Sequence, residues 1–187
     1  MKRLLMCLGL VGSGLIGPSL AAENVVINHS ESRIEIDVSA TMGSFVGHLA
    51  DYDAQIDFNE STGTVNSASL AFKFSDVKTG EAKRDQHMND WQGTEKYPNG
   101  RFEMSKLTPR AEGGYTAQGR LQLHGQVQEL SFPVNILTQG HSLAIDGDAV
   151  INTEQFGLPI VRKFLALRVS PEVTIHFHLQ GTTPVAP

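Results

Sequence analysis

This sequence predicts an all-β fold, an antiparallel eight-stranded barrel with one short helix between strands. Three observations lead there. Apolar and polar residues alternate with period two through most of the chain from Val25 onward. Glycines at 63, 113–114, 125 and 140 punctuate the runs at hairpin spacing. One stretch, Thr79 to Phe102, interrupts the alternation and holds the only tryptophan, Trp91. Half-buried strands must hide an apolar face and two open edges, and closure into a barrel hides both. A two-sheet sandwich is the alternative; long, even strands and short turns favour the barrel.

Met1 to Ala22 reads as a secretory leader. Lys2 and Arg3 precede an apolar core, Leu4 to Gly17, that is too short to span a bilayer, and small residues follow at 19–22. Cleavage after Ala21 or Ala22 removes Cys7, the only cysteine. Disulfides, thiol catalysis and thiolate metal sites are then excluded. The expected location is periplasmic or secreted, and the layout is a leader at 1–22, a barrel at 23–180 and a flexible tail at 181–187. Losing two basic residues takes the formal net charge from −5 to −7. An acidic chain without a basic block speaks against nucleic acid as a partner.

The strands follow in order. Ile34, Ile36 and Val38 alternate with Arg33, Glu35 and Asp37; Tyr52, Ala54, Ile56 and Phe58 alternate with four polar residues. Ala68, Leu70, Phe72 and Phe74 form the next apolar face, then Phe102 and Met104. Tyr115, Ala117, Gly119, Leu121 and Leu123 precede Leu130, Phe132, Val134 and Ile136. Leu143, Ile145, Ala149 and Ile151, then Val173, Ile175, Phe177 and Leu179, close the pattern.

Within the interruption, Asp85 has the character of a helix N-cap, Met88 and Trp91 share a face at i, i+3, and Gly93 stops the helix. Later, Phe156-Gly157-Leu158-Pro159 leads into IVRKFLALRV, where Ile160, Phe164 and Leu167 fit one helical face flanked by Arg162, Lys163 and Arg168. That segment reads either as an irregular connection packed on the barrel or as an apolar flap with a cationic rim, suited to transient membrane contact.

The interior of an eight-stranded barrel is either filled or holds one ligand. Small inward residues such as Ala54, Ala68 and Gly119 stand among large ones, so both outcomes remain open on pattern alone. The candidate ligand-binding residues are Phe45, Tyr52, Phe58, Ala68, Leu70, Phe72, Phe74, Met88, Trp91, Phe102, Met104, Leu121, Phe132 and Phe156. No cofactor is called for. His176 and His178, two apart on a strand, project from one face; a metal site there needs a third ligand, and exposed polar positions are the plainer reading. No serine-nucleophile elbow, HExxH or phosphate loop is present, which speaks against a dedicated enzyme.

Thr79-Gly80, Lys83-Arg84-Asp85-x-His87-Met88 and Glu95-Lys96-Tyr97-Pro98, followed by Phe102, resemble the YceI-like family of polyisoprenoid-binding, lipocalin-like proteins. Ser32-Arg33-Ile34, the Tyr115 to Gly125 hairpin and Phe156-Gly157 are similar to the same family elsewhere in the chain. The resemblance implies a lipid in the barrel lumen, of isoprenoid quinone or polyprenol type, and no catalytic residues. Two other readings stand beside it: a filled barrel acting through its surface as a stress or partner-binding protein, and a histidine-based metal or haem accessory.

Overall fold

Wherever alternation runs long, the chain is strand. A computed structural model describes residues 23–41, 43–163 and 167–184. The expected leader lies outside them, as does the end of the tail. The strands are β1 (Glu23–Asn24), β2 (Val26–Ile27), β3 (Arg33–Ala40), β4 (Phe45–Leu49), β5 (Asp53–Asn59) and β6 (Thr64–Lys73). A 3₁₀ turn at Phe74–Asp76 leads to β7 (Val77–Lys78) and then to helix α1 (Ala82–Gln92). The chain continues through β8 (Asn99–Pro109), β9 (Tyr115–Leu123), β10 (Gln126–Gln139) and β11 (Ser142–Asn152). A second 3₁₀ turn, Thr153–Phe156, precedes β12 (Arg162–Lys163) and β13 (Leu167–Thr182).

All the pairings are antiparallel, and they close the sheet on itself. β1 pairs with β5, Asn24 opposite Asp57, while β2, the next segment along, pairs with β13, Ile27 opposite Gly181. At that end the ring comprises β2, β5, β6, β8, β9, β10, β11 and β13. At the other end β4 bonds to β3 on one side and to β7 on the other. Because β7 continues β6 past its 3₁₀ turn, the ring closes there as well. The antiparallel barrel class is as expected, but the strand count exceeds the expected eight: the described residues hold thirteen strand segments, in part because the first and sixth strands each change partner midway. β13 also runs to Thr182, with Thr183 buried, so the sheet takes up residues expected in the tail.

The ends are plugged differently. Val25, Ile56, Phe58, Val65, Val134 and Leu143 pack at the β1 end. A hydrogen-bonded pin closes that end: Glu60 accepts from the Thr183 hydroxyl and from His141 Nδ1, the latter at 2.8 Å. At the helix end, Leu121, Leu123, Ile151, Phe156, Leu158 and Val173 form a second cluster. A third, Ile34, Leu49, Tyr52 and Val77, sits on the side where β4 and β5 part.

Helix α1 begins one turn earlier than the expected cap at Asp85. Glu81 occupies the N-cap position and makes no side-chain cap bond. Asp85 turns back instead: its carboxylate accepts from the Thr79 amide at 2.9 Å and from the Thr79 hydroxyl at 2.6 Å. The same hydroxyl oxygen accepts from Arg84 Nε at 2.8 Å. Thr79 thereby becomes the hub that ties the turn before the helix to its first full turn. Its hydroxyl is also the main reason the Asp85 carboxyl is held below the usual range. Gly93 ends the helix at φ 66°, a left-handed conformation that glycine adopts without a Cβ penalty.

Candidate functional site

Between the two plugs lies a cavity of about 740 Å³, walled almost wholly by apolar side chains. A barrel of this strand number can be filled by its own side chains; three large rings are kept out of the centre. Phe72, Phe102 and Phe177 each cover a glycine on the neighbouring strand: Gly100, Gly119 and Gly147. A Cβ at Gly119 would stand 2.6 Å from Phe102 Cζ, and one at Gly147 2.5 Å from Phe177 Cζ. Because those positions lack a Cβ, the rings lie against the wall and the axis of the barrel stays open.

The cavity runs the length of the strands. Val65, Leu107, Val134, Ile145 and Leu179 line it toward the β1 end, and Met88, Trp91, Leu158, Pro159 and Ile160 toward the helix end. Of the sequence candidates, Phe45, Ala68, Leu70, Phe72, Phe74, Met88, Trp91, Phe102, Met104, Leu121 and Phe132 are brought together on its wall. Tyr52, Phe58 and Phe156 are not. Tyr52 packs in the side cluster with its ring centroid 4.7 Å from that of His29. Phe58 belongs to the plug at the β1 end, and Phe156, fully buried, to the plug at the helix end.

Sequence selection weighted toward aromatics passed over several aliphatic wall residues. Ile36, Val38, Val173 and Ile175 line the cavity, and their alternation already marked them as inward. Nothing in the alternation marked Arg84 and His87, which face the cavity from α1, or Pro159, Ile160 and Val161 beyond the second 3₁₀ turn. Trp91 joins those two walls: its indole Nε1 donates to the Pro159 carbonyl at 2.8 Å. The helical face expected for Ile160, Phe164 and Leu167 does not form over the described residues, where Arg162 and Lys163 pair as strand with Arg168 and Leu167. Phe164 lies outside the described residues.

His176 and His178 face outward, across the sheet from carboxylates. His178 Nδ1 is 2.7 Å from Asp146, and His176 lies between Asp148, at 2.5 Å from Nδ1, and Asp37, at 3.3 Å from Nε2. Among the described residues no group of three or more potential ligands is arranged to hold a metal ion. A neutral imidazole carries one N–H, so His176 satisfies both carboxylates only as the cation. The Asp148 hydrogen bond is accordingly the main cause of its raised pKa, above the ordinary 6.5. A raised value means the ion pairs stabilise fully below the unfolded pKa and fade as pH rises through the folded one. His176→Gln should therefore lose more stability at about pH 5.5 than at about pH 8.5, within the 0–1 kcal/mol typical of exposed pairs. Urea melts at the two pH values check this, and an equal loss at both would remove the charged bridge.

A family model for the YceI-like domain matches residues 25–181. A UPF0312 protein of Photorhabdus laumondii is 27% identical over 96 residues, a match covering 50% of this chain and 50% of the relative, about half its length. A UPF0312 protein of Shewanella denitrificans is 24% identical over 146 residues, 75% of this chain and 76% of the other. Among solved structures, BcnA of Burkholderia cenocepacia superposes with a TM-score of 0.74 at 22% identity, over 84% of this chain and 100% of that one. A polyisoprenoid binding domain from Saccharophagus degradans, implicated in plant cell wall breakdown, gives 0.61 at 14% identity, over 88% and 100%. At those identities the likeness is one of fold.

Proposed function

We propose that this chain, which belongs to the YceI-like family, binds an isoprenoid-type lipid in its lumen without transforming it. The observation that carries the reading is the open apolar cavity of about 740 Å³, from whose axis three aromatic rings are held back by facing glycines. The polyisoprenoid binding domain from Saccharophagus degradans shares the fold and adds support for a chain-like occupant. An isoprenoid quinone or a polyprenol is the proposed occupant. The proposed location is periplasmic or secreted, on the strength of the leader-like sequence at 1–22.

Energetics restrict how such a ligand is chosen. Each CH₂ taken out of water contributes about 0.8 kcal/mol, but the competing home is a bilayer that is equally apolar. Most of that gain cancels in the exchange. Discrimination is left to the head group and to the shape of the wall. Transient contact with a bilayer, through the apolar and basic stretch at 160–168, whose Ile160 and Val161 line the cavity, belongs to the same proposal, with vesicle co-sedimentation as its check.

The test is to recover the protein from the extracytoplasmic fraction of its native host, without detergent. Mass spectrometry of an organic extract should find a quinone or polyprenol in stoichiometric amount. The intact mass of the same sample should fit a chain beginning at Ala22 or Glu23. An extract free of lipid, with stripped protein indifferent to added quinone, polyprenol and fatty acid, would leave the surface-acting reading standing.

A further inference from the structure

The polar side chains on the described cavity wall are Ser69 on β6, Arg84 and His87 on α1, Thr153 and Ser170. Of these, Thr153 spends its hydroxyl on the Pro171 carbonyl, and Ser170 accepts from the Glu172 amide. Arg84 and His87 differ. They stand at i, i+3 on α1 and so share a face, with Met88 and Trp91 continuing the stripe. The Arg84 guanidinium lies 4.7 Å from the centre of the Phe45 ring, which holds it at the cavity margin. His87 lines the cavity and makes no hydrogen bond or ion pair among the described residues.

We propose that Arg84 and His87 form the head-group subsite of the lumen, and that they take a lipid with a single uncharged acceptor head, a quinone carbonyl or a terminal hydroxyl. The proposal rests on the lumen-binding reading above. Arg84 has five N–H donors. Nε and Nη2 bond to Thr79, and Nη1 sits 3.4 Å from Glu81. The donors that remain suit one acceptor oxygen, and the imidazole of His87 supplies another N–H beside them.

Charge argues for a neutral head. The Arg84 cation already faces Glu81, and Asp85 lies one residue on, committed to Thr79. A diphosphate would bring at least two negative charges to a wall whose one cation among the described residues is already opposed by carboxylates. It would also have to leave water for a margin of apolar side chains, where unpaired charge is strongly disfavoured. A carbonyl or hydroxyl oxygen meets neither difficulty. With its head at α1, the isoprenoid tail runs down the strands toward the plug at the β1 end.

The experiment uses Trp91, the sole tryptophan and part of the same stripe, as the reporter. Emission of stripped protein is titrated with a short-tailed ubiquinone, geranylgeraniol, geranylgeranyl diphosphate and squalene, the last a tail with no head. In the wild type, geranylgeraniol should bind more tightly than its diphosphate. His87→Leu has no internal bond to lose, and it should weaken the quinone and the alcohol by about tenfold, the weight of a hydrogen bond in an apolar site, while squalene affinity holds. Arg84→Lys should act in the same direction. A diphosphate that binds more tightly than the alcohol overturns the proposal. So does quinone affinity unchanged in both variants, or an equal loss of all four probes, which would assign these residues to the shape of the mouth. If wild-type protein binds none of the four, squalene included, the lumen reading itself fails, and the subsite fails with it.

Discussion

Phe156→Ala is expected to cost about 3–5 kcal/mol of stability, the range for a fully buried phenylalanine whose site cannot collapse. Phe156 has no exposed surface and packs among Leu121, Leu123, Ile151, Leu158 and Val173. It ends the 3₁₀ turn that caps the barrel at the helix end, and its backbone is fixed from outside as well. His124 Nδ1 lies 2.9 Å from its carbonyl oxygen, which can only accept, so the proton sits on Nδ1. Gly157 follows at φ 75°, which leaves the turn little room to re-form around a smaller residue. The strands beneath are held in register by their own ladders, so the vacated volume stays. Urea denaturation with an unchanged slope should report the loss directly. A cost below about 1 kcal/mol, the level of a surface change, would mean that the cluster is not part of the cooperative core.

That residue also shows where the sequence stops being informative. Alternation marks a side chain as inward, and for the strands this was enough: Ile34 to Val38, Tyr52 to Phe58 and Leu143 to Ile151 all turn the expected face to the interior. Inward is not the same as facing the void. Phe58 and Phe156 point inward at the plugged ends, and Tyr52 does so where β4 and β5 part, so depth along the axis decides their role. Depth depends on register and partner changes, which no local pattern carries. The same limit explains the split strands. The switch of β6 into β7, and the hand-over from β1 to β2, are set by which neighbour is within reach, not by residue type.

The helix was legible in its existence and its stop, because Gly93 in the left-handed region is a local device. Its start was not. An aspartate ahead of a helical stripe offers two uses for its carboxylate, forward to the amides of its own first turn or back to a preceding turn. Thr79 decided between them, through a hydroxyl and an amide six residues upstream. Arg84 and His87 escaped notice as cavity residues for a related reason: a charged cluster reads as a solvated face until the helix axis is known.

Met104→Lys should abolish lipid binding, and it is the second large effect expected. Met104 lies on β8, lines the cavity and packs against the cluster at the β1 end, away from the polar stripe on α1. An ammonium there has no carboxylate partner on the described wall, and a lipid tail laid against it would strip its water without compensation. Lysine can relieve itself by drawing water into the lumen, which suits an empty barrel but excludes a ligand. The stoichiometric lipid of the wild-type extract should therefore disappear, whereas the far-ultraviolet signature of the sheet should persist. Should the variant fail to fold, Ala68→Leu is the gentler substitution. Ala68 lines the same wall, opposite Ile56 on β5, and leucine removes volume while staying apolar. An occupied lumen would then lose lipid with little change in melting temperature. A lumen already filled by its own side chains would instead be overpacked, at about 1–3 kcal/mol, and would carry no lipid before or after the change. Full lipid occupancy in a folded Met104→Lys protein would place the ligand somewhere other than the lumen.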